Sequence, residues 1–253
     1  MQRCITNNYP VTIIRIKLTE HLHPLYLLDC KYLAMPNSHP LLHLPKLLFD
    51  GPIDAALTIA LAHGAGLSKD APFMTQVASG LAERGLRVAR FNFPYMDKIE
   101  ETGKRRPPDR PPILMQTWRN VIAEIGAKTL IISGKSLGGR IASLVADEAG
   151  VLGLSALGYP FHPTGKPEKI RTAHLATLQT PTLICQGTRD PFGTLADVST
   201  YNLSPAIRLH WLEDGDHGFK PRKVSGRTEI QNVDDAIAAL AIFAKELETM
   251  ASG

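Results

Sequence analysis

From Lys46 onward, short apolar runs alternate with longer amphipathic segments. The runs are nearly continuous in apolar residues, as expected of strands buried on both faces of a sheet. The predicted strands are Leu57–Ala62, Leu86–Phe91, Thr129–Ser133, Val151–Leu157, Thr182–Gln186 and Ile207–Leu212. The predicted helices are Ala71–Arg84, Ile113–Ile125, Leu137–Ala149 and Thr228–Glu248. This alternation predicts an α/β fold with a doubly wound, mainly parallel sheet.

The first 45 residues differ in composition from the rest of the 253-residue chain. They are rich in histidine and cysteine, so we expect residues 1–45 to be a poorly ordered N-terminal extension and residues 46–253 to be the folded domain. An alternative is that Met35 is the true start. The pair His21 and His23 could hold a metal ion, but such tracts are usually incidental and we expect no metal.

Overall composition narrows the class of protein. The chain is 44% hydrophobic and 21% charged, which excludes disorder or a coiled coil for the chain as a whole. Its 3 cysteines are scattered, which argues against a disulfide framework and suits the cytoplasm. A net charge of +4 permits an anionic partner without requiring nucleic acid. No apolar run is long enough to cross a membrane, so a membrane is not expected as a partner. Nucleic acid is not expected either, because the net positive charge does not require it. The oligomeric state stays open.

The sequence Gly134-Lys135-Ser136-Leu137-Gly138 has the pattern G-x-S-x-G between a predicted strand and a predicted helix. This context predicts a strand–elbow–helix that presents Ser136 as a nucleophile at a strained turn. Glycines two residues either side of the serine relieve crowding at such a turn. A phosphate-binding P-loop, the competing interpretation, would need glycine where Thr129 stands.

A serine nucleophile on this architecture takes an acid and then a histidine later in the chain. His217 follows the last predicted strand in a glycine-flanked loop, so we predict that it is the general base. Asp190 follows the strand Thr182–Gln186 and is the predicted orienting acid. Asp197 is the alternative acid, and His162 follows another strand and could line the pocket.

A glycine-rich turn, His63-Gly64-Ala65-Gly66, follows the first strong strand. Such a turn lets a backbone N–H approach the site, so Ala65 and Leu137 are the predicted oxyanion donors, with Gly66 as the second choice for Ala65. His63 is expected to fix this turn by hydrogen bonding and not to act as a second base.

The substrate pocket is less sharply marked. About twenty residues separate Gly158 from Gln179, too few for a large helical lid, so a small or soluble acyl substrate is expected. The proline-rich segment Phe93–Pro112 could be a mobile flap or a surface loop. The basic runs Lys104–Arg110 and Lys220–Arg227 flank the expected site and keep an anionic substrate open, although solvated charge is the simpler interpretation. The candidate pocket-lining residues are Tyr95, Met96, Tyr159, Phe161 and Phe192.

Seven separated blocks in this order resemble the α/β-hydrolase superfamily. They are Leu61–Gly66, Pro72–Met74, Arg90–Tyr95, Gly134–Gly139, Gly158–Pro163, Gln186–Gly193 and Gly215–His217 with Lys220–Lys223. More narrowly, they are similar to the small predicted-hydrolase group that includes testis-expressed protein 30 and the third subunit of the NSL chromatin complex. The resemblance covers about residues 46–248 and implies the hydrolase fold without a large lid domain, with Ser136, Asp190 and His217 as triad.

Together these patterns predict a serine hydrolase that acts on an ester or thioester of a small soluble acyl compound. The expected reaction passes through an acyl-enzyme and requires neither a metal nor an organic cofactor. Two alternatives remain open at the level of sequence. The chain could be a non-catalytic interaction module on the hydrolase fold, or an acyltransferase that uses the same triad.

Overall fold

The computed structural model of the protein describes residues 45–252, which form a seven-stranded sheet flanked by helices. The sheet order is β1-β3-β2-β4-β5-β6-β7, and every neighbouring pair is parallel except β1 with β3. The strands are β1 Leu48–Asp50, β2 Thr58–Ala62, β3 Arg87–Phe91, β4 Leu130–Lys135, β5 Gly153–Leu157, β6 Thr182–Gly187 and β7 Ile207–Leu212. The predicted doubly wound, mainly parallel fold is therefore confirmed.

The helices cover both faces of the sheet. They are α1 Pro72–Glu83, α2 Pro94–Thr102, α3 Pro111–Ile125, α4 Leu137–Ser143, α5 Ala146–Ala149, α6 Leu195–Val198 and α7 Glu229–Ser252. One apolar core includes Trp118 of α3 and Ile141 of α4, and the other includes Val77 of α1 and Leu240 of α7. Short 3₁₀ turns lie at Ala173–Ala176 and Lys223–Ser225, and only the first falls in the connection between β5 and β6.

Several boundaries differ from the sequence-based expectations. Edge strand β1 was not predicted, because it is only three residues long and is hydrogen-bonded to a single neighbour, β3. The predicted helix Leu137–Ala149 is interrupted after Ser143, where Val145 has φ −119° and ψ −9°. In the last helix, the apolar residue Ile230 is 71% exposed, whereas Val233 and Leu240 are buried.

The proline-rich segment Phe93–Pro112 is not a loop along its whole length. Pro94 begins α2, and Pro111 begins α3 with a second proline beside it. Proline fits the first turn of a helix because the amide hydrogen it lacks would have no helical partner there. The prolines therefore mark two helix starts, and irregular backbone is confined to residues 103–110.

Residues 1–44 of the predicted extension 1–45, including His21 and His23, lie outside the described residues. Among the helices of residues 45–252, none is both long enough and apolar enough to cross a membrane.

Candidate active site

The turn between β4 and α4 holds Ser136 in a strained backbone conformation. Its φ of 48° and ψ of −109° lie in a region that residues with a Cβ rarely adopt. A Cβ on Gly134 would lie 2.4 Å from the Gly138 carbonyl carbon, and one on Gly138 would lie 2.5 Å from the Ala62 carbonyl oxygen. Both positions therefore require glycine, as the sequence pattern predicts.

The side chains of Ser136, His217 and Asp190 form one hydrogen-bonded row. His217 Nε2 lies 2.8 Å from Ser136 Oγ, and His217 Nδ1 lies 2.7 Å from Asp190 Oδ2. The Asp190 side chain is fully buried, while 23% of the His217 side chain is exposed. With Nδ1 protonated toward the buried carboxylate, Nε2 is free to accept the serine proton.

Asp190 is held in place by donors other than His217. The Phe192 N–H donates to Asp190 Oδ1 at 2.8 Å, and Gln186 Nε2 donates to Asp190 Oδ2 at 3.0 Å. Gln186 also binds the loop after β5, because its Oε1 accepts a hydrogen bond from the Tyr159 N–H at 2.7 Å. Sequence reasoning missed Gln186. A polar residue at the end of an apolar strand was the available signal.

Lys135 is the second residue that sequence reasoning missed, although the P-loop comparison drew attention to it. Its side chain is buried, and the ammonium donates to the His217 carbonyl oxygen between the rings of Phe73 and Phe219. Burial lowers the pKa of Lys135 to about 8, although nearby carboxylates, Asp190 foremost, oppose that shift. The residue before the serine thus contacts the loop that carries His217.

The two expected backbone donors come from different turns, Ala65 from the turn after β2 and Leu137 from the turn after β4. Ala65 is exposed, and Leu137 is the first residue of α4. Within residues 45–252 neither N–H has a hydrogen-bond acceptor, so both are free to bind an oxyanion.

His63 holds the turn after β2 in place through two hydrogen bonds. Its Nδ1–H donates to the Gly64 carbonyl at 2.9 Å, and its Nε2 accepts from the Phe93 N–H at 3.0 Å. Burial lowers the pKa of His63 to about 4, so the ring is neutral near pH 7. Both ring nitrogens are occupied by backbone groups, and His63 is therefore not available as a base.

The five candidate pocket residues lie at different depths. Phe192 is half-buried, and its ring centroid lies 4.4 Å from that of His217. The other four belong to the apolar core beneath the site: Tyr95, Met96, Tyr159 and Phe161. Of these, Tyr95 donates to the Gly64 carbonyl at 3.5 Å and so supports the turn after β2. Phe192 is the member that directly faces the imidazole.

The alternative acid Asp197 and the pocket candidate His162 are engaged elsewhere. Asp197 caps α6 by accepting from the Thr194 N–H at 2.9 Å and from the Thr194 hydroxyl at 2.7 Å. His162 is buried, with Nδ1 3.0 Å from the Pro163 carbonyl and Nε2 3.7 Å from Asp197. The structure does not bring either residue into the row that contains Ser136.

Arginines of the basic run Lys220–Arg227 have carboxylate partners. The Arg222 guanidinium contacts both oxygens of Asp214, with Nε 2.9 Å from Oδ1. These bonds lower the pKa of Asp214 to about 2. Arg227 donates to Asn232 at 2.8 Å and to Asp235 at 3.3 Å. Both guanidiniums therefore stabilise the folded chain around the His217 loop.

No cluster of three or more histidine, cysteine or acidic side chains with metal-binding spacing occurs among residues 45–252. The described residues bring together a serine hydroxyl, an imidazole and a buried carboxylate, and the N–H groups of Ala65 and Leu137 have no acceptor among them.

Comparison with known proteins places this geometry in context. A family model described as an alpha/beta hydrolase domain matches residues 55–245. A solved alpha-beta serine hydrolase homologue from Coxiella burnetii is 18% identical, with a TM-score of 0.58 over 76% of this chain and 89% of that chain. A serine hydrolase without a lid from Xanthomonas campestris is 21% identical, with a TM-score of 0.54 over 76% and 86% of the two chains. A dienelactone hydrolase from Anabaena variabilis is 22% identical, with a TM-score of 0.57 over 80% and 89%.

Proposed function

The chain belongs to the α/β-hydrolase family, and from this premise we propose that it is a serine hydrolase whose nucleophile is Ser136. The observation that carries the proposal is the continuous hydrogen bonding from Ser136 Oγ through His217 to the buried Asp190. A buried carboxylate, an imidazole and a strained serine in this order are the parts that nucleophilic acyl transfer needs.

In the first half of the reaction, Ser136 Oγ attacks the carbonyl carbon of the substrate. His217 Nε2 takes the hydroxyl proton, and Asp190 stabilises the imidazolium through Nδ1–H. The negative charge that develops on the carbonyl oxygen is bound by the N–H groups of Ala65 and Leu137. His217 then gives its proton to the leaving alcohol or thiol, and an acyl-Ser136 ester remains.

In the second half, a water molecule attacks the acyl-Ser136 ester. His217 Nε2 takes a proton from this water and returns it to Ser136 Oγ as the acid leaves. The fully buried Asp190 and the partly exposed His217 suit this exchange, because the carboxylate stays dry while the imidazole can meet water.

We propose an ester or thioester of a small soluble acyl compound as substrate. The short connection between β5 and β6 carries only a single 3₁₀ turn, so within residues 45–252 no helical lid is inserted after β5. The narrower likeness to the group that includes testis-expressed protein 30 remains part of this proposal and names no substrate.

Labelling with a fluorophosphonate probe tests the nucleophile, because the probe reacts covalently with activated serines. We expect labelling of the full chain to be abolished in Ser136→Ala. The matched control is Ser133→Ala, since the Ser133 hydroxyl is buried in β4, the strand that leads to Ser136, and has no partner among the described residues. Equal labelling of Ser136→Ala and wild type would refute the role of Ser136.

A panel of activated esters with increasing acyl length tests the substrate class. We expect the highest kcat/KM with short acyl groups, since the described connection between β5 and β6 holds no helical lid to enclose a long chain. A strong preference for long chains would contradict that part of the proposal. Absence of both labelling and turnover would favour a non-catalytic interaction module. Product analysis with added alcohol or thiol acceptors separates hydrolysis from acyl transfer.

A further inference from the structure

Two arginines near the proposed nucleophile lack the carboxylate partners that Arg222 and Arg227 have. Arg140 lies on α4, one turn after Ser136, and its N–H donates to the Ser136 carbonyl at 3.0 Å. Arg171 precedes the 3₁₀ turn between β5 and β6, and its N–H donates to the Phe161 carbonyl at 2.7 Å. Both residues are half-buried. Neither guanidinium takes part in an ion pair within residues 45–252.

The two guanidiniums are close enough to repel each other. Burial and the positive charge of Arg140 both lower the pKa of Arg171, and the only opposing neighbour is the Tyr159 hydroxyl. Arg140 Nε is buried without a hydrogen-bond partner in the described part of the chain. Buried guanidinium donors normally have partners, so an unpaired Nε beside a second guanidinium marks a place where an anion would be stabilised.

Tyr159 and His174, which interact electrostatically with this pair, carry no negative charge at neutral pH. Burial raises the pKa of Tyr159 to about 12, and burial together with Arg140 lowers the pKa of His174. Ser143 Oγ lies 3.2 Å from the Tyr159 hydroxyl and 2.9 Å from His174 Nε2. These groups satisfy one another and leave the positive charge of the arginines uncompensated.

Arg140 is adjacent to the proposed site in the chain, and Tyr159 connects both arginines to it. Arg140 is four residues after Ser136 on the helix that begins there. Tyr159, which interacts electrostatically with both arginines, follows Gly158, where an added Cβ would lie 3.4 Å from His217 Cε1. Tyr159 therefore connects the arginine pair to the loop that packs against His217.

We propose that Arg140 and Arg171 form an anion-binding subsite that takes a carboxylate or phosphate group of the substrate. This inference rests on the proposed serine hydrolase function and gives its substrate class: an ester or thioester that carries a second, anionic group. The two guanidinium groups would bind the anion oxygens through charge-assisted hydrogen bonds. Arg140 Nε would thereby gain the partner it lacks among the described residues.

Matched esters provide the first test. We compare kcat/KM for the nitrophenyl monoester of glutaric acid with that for the nitrophenyl ester of valeric acid, which has the same chain length and no charge. We expect wild type to favour the anionic ester by about tenfold, and Arg171→Gln and Arg140→Gln to lose that preference, mainly through KM. The control is Arg208→Gln. Arg208 pairs with Glu246 at the amino end of β7, whereas Ser136 follows the carboxyl end of β4.

Direct binding provides a second test that does not depend on turnover. Calorimetric titration of the full chain with glutarate and with inorganic phosphate should give a Kd about tenfold weaker in Arg171→Gln than in wild type. Tighter binding of phosphate would assign a phosphate group, and tighter binding of glutarate a carboxylate. Arg140→Lys, which keeps the charge, should retain more affinity than Arg140→Gln.

The outcomes separate this inference from the proposed function. Labelling of Ser136 with equal use of the two esters and no binding of either anion would overturn the subsite and leave the hydrolase intact. Binding that depends on Arg171 without labelling of Ser136 would support the subsite and overturn the hydrolase.

Discussion

The ammonium of Lys135 donates a hydrogen bond to the backbone carbonyl of His217, so the residue before the proposed nucleophile supports the loop of the proposed base. The same ammonium lies between two aromatic rings, with centroids 5.6 Å away at Phe73 and 5.3 Å away at Phe219. Two parts of the site that are far apart in sequence are thereby fixed relative to each other.

Lys135 should make stability depend on pH in the alkaline range. Its pKa falls from 10.5 to about 8 in the folded chain, so the unfolded chain binds more protons between these values. Stability should therefore rise with pH across this window, by up to about 1.4 kcal/mol per pH unit from this residue alone. Urea unfolding of wild type and Lys135→Met at pH 7.5, 9 and 10.5 measures the effect. Wild type should gain relative to the variant, and a constant difference would contradict the prediction.

His63 should make the protein sensitive to acid. Its pKa falls from 6.5 to about 4, so the unfolded chain protonates first as the pH drops. The contribution is complete above pH 6.5 and is lost toward pH 4, about 3 kcal/mol in all. The free energies of unfolding of wild type and His63→Gln should therefore converge as the pH falls over this range. Parallel pH curves for the two proteins would show that His63 does not titrate as the structure implies.

Gln186 should matter for both stability and reactivity. Gln186→Leu removes a donor to Asp190 and leaves the buried Tyr159 N–H without its acceptor, which should cost about 2–4 kcal/mol. Labelling of Ser136 should slow by at least about tenfold, because the acid that orients His217 is less well fixed. The comparison is Gln179→Leu, an exposed glutamine whose side chain has no bond among the described residues. Equal labelling rates in the two variants would argue against this role.

Gly134 should tolerate no side chain at all. A Cβ there would lie 2.4 Å from two backbone atoms of the next turn, so Gly134→Ala should cost at least about 4 kcal/mol or prevent folding. Gly165→Ala provides the contrast, since Gly165 has φ +70° with nothing within 4 Å and should cost only about 1–2 kcal/mol. Differential scanning calorimetry of the two variants would reveal the gap, and similar losses would contradict the packing argument.

Much of the fold follows from local sequence. Buried parallel strands need apolar residues on both faces, and this signal is strong enough to place the strands from β2 to β7. The elbow is equally local, because the glycines flanking Ser136 at positions 134 and 138 meet steric demands of a single turn. Proline content misled at α2, since Pro94 begins that helix where its count suggested a loop.

The parts that escaped prediction depend on contacts between distant residues. Gln186 and Lys135 act by bonding to loops 27 and 82 positions away in the chain, which no local pattern encodes. The basic runs were conspicuous in sequence, yet Arg222 has a carboxylate partner in space and Arg140, which is isolated in sequence, has none among residues 45–252. Charge pairing is decided by the fold, so a count of charges along the chain could not assign it.

The distribution of the site over the sheet has a practical consequence. Ser136, the proposed nucleophile, and the turn at Ala65 precede the connection between β5 and β6, in which residues 164–170 are exposed. Asp190 and His217, the proposed acid and base, follow it. Neither portion of the chain holds a reactive serine by itself, because the serine lacks its base in one and the base lacks its target in the other. Covalent capture at Ser136 would therefore report that the two portions have docked, which makes it a reporter of assembly in folding or fragment-complementation experiments.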